Sequence, residues 1–556
     1  MASGSDHPHR VRRGHLRSAR GRNPVTGGTS PRLSRRGFLG VLSVAAIVAA
    51  CSSPAPEGAT RNVRDHGAAG DGEKDDSAAI TAAVAELKTG DTLLFPRGTY
   101  RFGLQNPPGD AAISITGLSG VTIEFESGAE LLMDNLAPDG SGTSHGIVVR
   151  GPATDTNLRG VAVRWATAPA QRSMGDGIRI VGYPSDAAGV PSGWTGSEGP
   201  VSRVSLRDCR VQSSPQAGVI MMGVSDLTVS GLRVRDTLAD GLHFNACRRG
   251  QVTDYEATDT GDDGLALVTY YTPEDAFDNE AETFSLAELT DWSNADLTVN
   301  KVTVNGGNAN GVRISGVNRA TLTDVNVRGV RSGAGLITDS AAPGSDADWD
   351  YLASRGVRVE GLTVDDSDSG LHVLGRPMGS SDDRFSDFDV DVSGVTVRGC
   401  PRWSVLVESV SDKPVAGVRL RECTITAGAI DEATGIVGLQ TTRDVSLGNV
   451  TITSAAPAVA LSANDSNQFT IDNLRISVSG PGPDPRSAGP LVQFLDSTGS
   501  VSAAYLEWPQ APSPWEPILV SGETCRPGTQ TASSPVQFGS VDTTPTAVIG
   551  SSNSSC

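Results

Sequence analysis

The sequence predicts an all-β chain wound as a single-stranded right-handed parallel β-helix, with a short N-terminal capping helix. Three features predict it. Corner glycines recur at a fixed period, short alternating strands lie between them, and one helical segment precedes the first coil.

The corners come first. A small residue, Gly and an apolar residue recur at Ala217-Gly218-Val219, Asp240-Gly241-Leu242, Asp263-Gly264-Leu265, Asn310-Gly311-Val312, Ala334-Gly335-Leu336 and Ser369-Gly370-Leu371. Gly218 to Gly241 and Gly241 to Gly264 each span 23 residues, and Gly311 to Gly335 spans 24. Longer gaps read as one or two coils plus a loop. Glycine at each corner is expected to supply a tight bend.

The strands come next. Leu227-Thr-Val-Ser-Gly-Leu-Arg-Val234 and Ala320-Thr-Leu-Thr-Asp-Val-Asn-Val327 alternate apolar and polar residues and are rich in β-branched side chains. That pattern means strands with one buried face. Leucine-rich repeats have a similar period, but their Leu/Asn consensus is absent.

A solenoid exposes an apolar end and needs a cap over it. Asp75-Asp76-Ser77 precedes a helical run over 78–87, and Gly90-Asp-Thr-Leu-Leu-Phe-Pro-Arg-Gly-Thr-Tyr100 opens the first coil. The Gly-rich stretch over 63–76 lacks the strand–loop–Lys context of a phosphate loop, so it reads as a turn before the cap.

The first fifty residues read as an address. They carry nine Arg, one Asp and neither Lys nor Glu. Arg35-Arg36 precede an apolar run over 37–50, too short to cross a bilayer of about 30 Å as a helix. The pair has the twin-arginine form, and Val48-Ala49-Ala50-Cys51 resembles a bacterial lipobox with Cys51 as the acylated residue. The expected organisation is an address over 1–50, a tether over 51–60, the solenoid over 61–500 and a C-terminal tail or cap over 501–556. The expected location is the outer face of the cytoplasmic membrane, or the medium, with membrane contact only through the lipid.

Without the address, 36 basic and 63 acidic residues remain, a net charge of −27. Such a body repels nucleic acid and anionic surfaces. No Cys pair has metal-ligand spacing, and no cofactor motif is present, so neither a metal nor a cofactor is expected. Cys400 and Cys423 are 23 residues apart and each follows a similar strand, which predicts a disulfide between rungs. Cys525 and Cys556 bracket the tail and are a second candidate pair. A monomer is expected.

The register places Asp240 and Asp263 at one corner of successive coils, about 4.8 Å apart, with Asp262 adjacent. Asp176 occupies the same register nearer the N-terminus. Stacked carboxylates repel, and one should hold a proton near neutral pH, as a glycosidase general acid must. Corner Asp residues that only cap turns are the plainer alternative.

The Gly67-Ala-x-Gly-Asp-Gly-x-x-Asp-Asp76 segment, the helix and Phe95-Pro-x-Gly-Thr-Tyr100 resemble the opening of the pectate-lyase and polygalacturonase β-helix superfamily, over about residues 62 to 375. Leu238-Ala239-Asp240-Gly241-Leu242-His243 and Gly261-Asp262-Asp263 resemble the two Asp motifs of polygalacturonase-type glycoside hydrolases. That resemblance implies inversion, with one Asp as acid and another activating water. Inverting pairs stand about 6.5–9.5 Å apart, a poor fit to a stack of about 4.8 Å. The family's Gly-His-Gly motif is missing, and Arg313-Ile314-Ser315 has Ser where the family's Lys holds the substrate carboxylate. These departures, with the acidic body, favour a neutral glycan. The Asp arrangement also resembles the mycodextranase and α-1,3-glucanase group, which implies an α-glucan.

Loops over 182–199, 269–295 and 338–352 break the period and carry aromatics. Trp194, Tyr270, Tyr271 and Trp292 are candidates to stack on sugar rings, and packing onto the barrel is the alternative. Asp176, His243, Asn310 and Arg313 are further candidates for substrate contact; for His243 and Arg313 the alternatives are tuning of the Asp group and a merely structural role. Glu274, Asp275, Glu280 and Glu282 read as a solvated face or a calcium site. The competing functions are a calcium-dependent polysaccharide lyase and a non-catalytic glycan-binding solenoid.

Overall fold

The computed structural model describes residues 58–183, 194, 199–278, 281, 283–378, 382–428, 435–481, 489–522 and 536–545. Arg35, Arg36, Cys51, Glu280, Glu282, Cys525 and Cys556 lie outside the described residues, as does most of the loop over 182–199.

Each coil contributes to parallel sheets running the length of a right-handed solenoid. One sheet has 14 strands and includes Ile178–Val181, Val219–Met222, Leu242–Asn245, Leu265–Val268, Val312–Ser315 and Ala334–Ala341 in successive coils. A 23-stranded sheet forms the remaining faces, and its longer strands, such as Arg248–Thr258 and Asn294–Asn305, turn from one face to the next. Asp254, Lys301, Asp324, Gly361, Gly394 and Glu422 stand at that turn with positive φ, one per coil.

Every corner glycine read from the sequence falls in register, because Val219, Leu242, Leu265, Val312, Leu336 and Leu371 are consecutive partners across the 14-stranded sheet. These side chains point inward and are buried in one continuous core. The need for glycine at the corner differs from the expectation. A Cβ on Gly241 would lie 2.2 Å from the Tyr255 hydroxyl and 2.5 Å from the Gly264 carbonyl oxygen. Close approach of the next coil, not a left-handed bend, excludes a side chain there.

Helix Ser77–Ala85 buries Ala79, Ile80 and Ala83 against the end of the barrel. Asp75, rather than the N-cap Asp76, accepts the Ser77 N–H and hydroxyl, at 3.0 and 2.6 Å. Asp76 instead ties down Ala69 N–H and Gly70 N–H in the preceding turn.

Three expectations are corrected. The coils continue past residue 500, since Gln537–Thr544 pairs with Gly499–Glu507. The stretch from 338 begins as strand, since Ala334–Ala341 is a buried strand of the 14-stranded sheet. Cys400 and Cys423 are free, buried thiols. The coil here is longer than 23 residues: Cys423 stacks on Val395, just after the left-handed Glu422, whereas Cys400 lies at the following corner after Gly399. Equal spacing therefore did not mean equal register.

Candidate active site

Asp240 and Asp263 stand two residues ahead of strands Leu242–Asn245 and Leu265–Val268. Their side chains turn back along the axis and bind the next coil. Asp240 Oδ1 accepts the backbone N–H of Asp263 at 3.0 Å, and Asp263 Oδ1 accepts from Asn310 N and Nδ2 at 3.0 and 2.8 Å. Asn310 Oδ1 accepts the Ala334 N–H at 3.0 Å. Corner capping is thus a true role of this column. It does not exhaust the carboxylates, which have two oxygens each.

One oxygen each of Asp240, Asp262 and Asp263 lies within 4.8 Å of the other two, in a cleft of about 840 Å³. Asp240 Oδ2 takes Nδ1 of His243 at 2.7 Å, leaving the buried Nε2 of His243 without a partner among the described residues. Arg172 Nη1 reaches Asp262 Oδ2 at 2.8 Å, and Arg313 Nη1 stands 4.0 Å from Asp263 Oδ2. Among the described residues no other group of three or more His, Cys, Asp or Glu side chains is close enough to share a cation. The guanidinium groups of Arg172 and Arg313 also face this set.

The trio does not hold its protons evenly. Burial pushes Asp263 up to about 7, against the charge of Arg313 and the Asn310 hydrogen bond, and the charges of Asp240 and Asp262 add to the rise. Asp262 is also raised, by burial and by Asp240, against Arg172. Burial acts on Asp240 too, but the hydrogen bond and charge of His243, with Arg172 and the Asp263 N–H, hold it below the usual range. Near neutral pH the site can keep one carboxyl protonated beside an ionised one. That is an acid and a base in one cluster.

The other expected residues divide. Arg313 follows His243 in the same outward column with Ala266 between them, and each stands beside an Asp of the set, His243 on Asp240 and Arg313 near Asp263. Asn310 is engaged with Asp263. Asp176 is fully buried, with Arg179 Nη1 at 2.8 Å and the Ala217 N–H at 3.0 Å, and is held at about 2 although burial opposes this, chiefly by His145 and Arg179. Its carboxylate is spent on the cleft wall and is not offered to a ligand.

The aromatic expectations are mostly corrected. Trp194 and Trp292 pack together at 5.8 Å in a buried cluster with Tyr183 and Phe284, and Arg248 covers the Trp292 ring at 3.4 Å. Tyr271 packs edge-on to Phe385. The insertions needed their own small core, around the three-stranded sheet Tyr270–Tyr271, Ala276–Asp278 and Thr283–Leu286, and these rings supply it. Tyr270 does line the cleft, beside Trp349 at 4.7 Å and Tyr351 at 5.8 Å. Trp349 also lines the cleft and is 44% exposed. In the acidic loop Asp275 accepts the Ala287 N–H, a capping contact.

Sequence reasoning missed Arg172, Asp339 and Arg376. Arg172 sits in a loop three coils from Asp262, and nothing local marks it. Asp339 did carry a signal, an acid within an otherwise buried strand.

Residues 60–105 match the family described as rhamnogalacturonase A/epimerase, pectate lyase-like. No curated protein sequence matches the chain. Among solved structures, the Yersinia enterocolitica family 28 exopolygalacturonase is 13% identical, with 87% of this chain and 78% of that one covered and a TM-score of 0.41. The A-module of an Azotobacter vinelandii mannuronan C-5 epimerase is 13% identical over 87% of this chain and 99% of that one, with a TM-score of 0.38. The catalytic domain of a GH87 α-1,3-glucanase is 12% identical over 80% of this chain and 68% of that one, with a TM-score of 0.45. These likenesses concern the fold alone.

Proposed function

We propose that the protein is a glycoside hydrolase that cuts a polysaccharide, with Asp263 as general acid and the ionised Asp240, with Asp262, activating the attacking group. The observation that carries this reading is the split between a carboxyl held at about 7 and a neighbour held low, within 4.8 Å, in an open cleft. An acid and a base near one bond are the requirement for glycoside cleavage.

The cleft favours a neutral sugar such as an α-glucan. Four of the five guanidinium groups that line it are already engaged with carboxylates: Arg172 on Asp262, Arg179 on Asp176, and Arg313 and Arg376 on Asp339. A uronate would have to compete for them. The twin-arginine pair and Cys51 support export, with lipid anchoring on the outer face of the cytoplasmic membrane or release to the medium.

Reducing-sugar release should be measured across α-glucans, galacturonans and arabinogalactans. Hydrolysis of a neutral glycan that survives EDTA and is lost in Asp263→Asn supports the proposal. Unsaturated products that absorb in the ultraviolet and need calcium would mean a lyase. Binding without cleavage across the panel would mean a glycan-binding solenoid. Changing Arg35 and Arg36 to Lys should retain the precursor inside the cell, and Cys51→Ala should abolish lipid labelling; normal export or labelling would refute the address.

A further inference from the structure

We propose that Asp339 is a positioning residue: it holds Arg313 from behind and keeps that guanidinium from closing onto Asp263. This rests on the hydrolase reading only for its catalytic consequence.

Asp339 lies in the strand after that of Arg313 and is 1% exposed. It receives Arg313 Nη2 at 2.8 Å and Nε at 3.3 Å, Arg376 Nη1 at 3.1 Å, and the hydroxyl of Ser315. The two strands set this geometry, since Ser315 and Asp339 are direct partners across the sheet. Arg313 therefore gives the side of its fork to Asp339 and turns its remaining Nη1 toward Asp263, where it stops at 4.0 Å. That is too long for a hydrogen bond. Tyr351 lies under the same guanidinium at 4.9 Å and limits its rotation.

The stand-off has a chemical consequence. A fork closed on Asp263 would favour the carboxylate, because charge-assisted pairs strongly favour the charged form. A general acid must keep its proton. Asp263 also faces Asp240 and Asp262 from the corners, and Tyr351 from the loop over the cleft. Arg172 and Tyr270 face Asp240 and Asp262 rather than Asp263. Arg313 is the cation closest to Asp263 in this set, and Asp339 is the charged group that restrains it, beside the Ser315 hydroxyl at 3.1 Å from Nε and the Tyr351 ring.

The test is infrared titration of the protonated carboxyl band of the full chain, with the Asp263 signal assigned by its loss in Asp263→Asn. Asp339 is itself held low, burial notwithstanding, by Arg313, Ser315 and Arg376, so it adds no band near neutrality. In Asp339→Asn the Asp263 midpoint should fall by at least about one pH unit as Arg313 closes on it. In Arg313→Gln it should rise, and Asp339→Asn added to Arg313→Gln should cause no further fall. An unchanged midpoint in Asp339→Asn overturns the proposal. A fall that persists without Arg313 would mean that Asp339 acts by its charge alone, and overturns it equally. Should Asp339→Asn not fold, Arg376→Gln tests the same point. It leaves the Arg313–Asp339 pair in place, so the midpoint should hold or rise, and a fall overturns the claim. The titration needs no substrate. Failure to cleave any glycan would remove the hydrolase reading and leave this result standing. With an active substrate, the high-pH limb of kcat should move with the midpoint.

Discussion

Asp240 accepts the backbone N–H of Asp263 through one oxygen at 3.0 Å and binds Nδ1 of His243 through the other at 2.7 Å. One side chain thus joins two coils and belongs to the acid–base cluster. Structural and chemical roles coincide at this corner, so a single substitution cannot separate them. A graded pair can.

Asp240→Asn and Asp263→Asn keep an oxygen for the backbone N–H and remove the ionisable group. At about pH 4, where folded Asp263 still holds its proton, the melting temperature of Asp263→Asn should stay near wild type, while turnover of both variants at the wild-type optimum falls at least about a hundredfold, the low end for acid–base catalysis. The Ala variants leave a buried N–H unsatisfied, which costs about 1–3 kcal/mol, so they should lose stability as well. Near-native turnover in both Asn variants would remove the hydrolase mechanism.

How much of this was legible in the sequence follows from what is local. The corner glycines and the three Asp residues were readable because each coil repeats the same small–Gly–apolar step, and a parallel register turns equal spacing into contact. The same logic failed at Cys423, where the coil lengthens and the stack falls on Val395 instead of Cys400. It could not find Arg172, whose contact with Asp262 spans 90 residues. Nor could it tell Trp349 from Trp292, because both lie in insertions and only tertiary packing decides which ring is buried.

That packing gives a second prediction. Trp349→Ala should raise KM several-fold, with the melting temperature unchanged, as an exposed stacking ring is worth about 0.5–1.5 kcal/mol. Trp292→Ala should instead cost about 3–5 kcal/mol of stability, because the ring is 7% exposed and lies under Arg248. Denaturant curves beside Michaelis plots check both. The reverse pattern would place the sugar on the wrong rim.

The cysteines give a third. Burial pushes Cys209, Cys247 and Cys423 up to about 12 and Cys400 to about 11. A buried neutral thiol is a poor nucleophile. In native protein purified without reductant, alkylation mapped by peptide should miss all four positions. After unfolding, all four should react without prior reduction. A peptide linking Cys400 to Cys423 would contradict the register described above.

The last prediction concerns stability against pH, and its sign follows from Asp263. An unfolded Asp titrates near about 3.9, whereas the folded side chain is pushed up to about 7. Between those values the folded state holds a proton that the unfolded state has lost. Stability from this group is therefore complete below about pH 4, declines as pH rises, and is gone above about 7. Asp263→Asn cannot ionise and removes that decline. The melting temperature of the variant minus that of wild type should climb between about pH 4 and 7 and then level off. Asp176 acts with the opposite sign, because it is held at about 2 in the fold. Its contribution is present above about pH 4 and is lost as pH falls toward 2, the same in wild type and Asp263→Asn, so it cancels in the difference. A difference that stays flat from pH 4 to 8 would mean that Asp263 ionises normally, and would remove it as the acid.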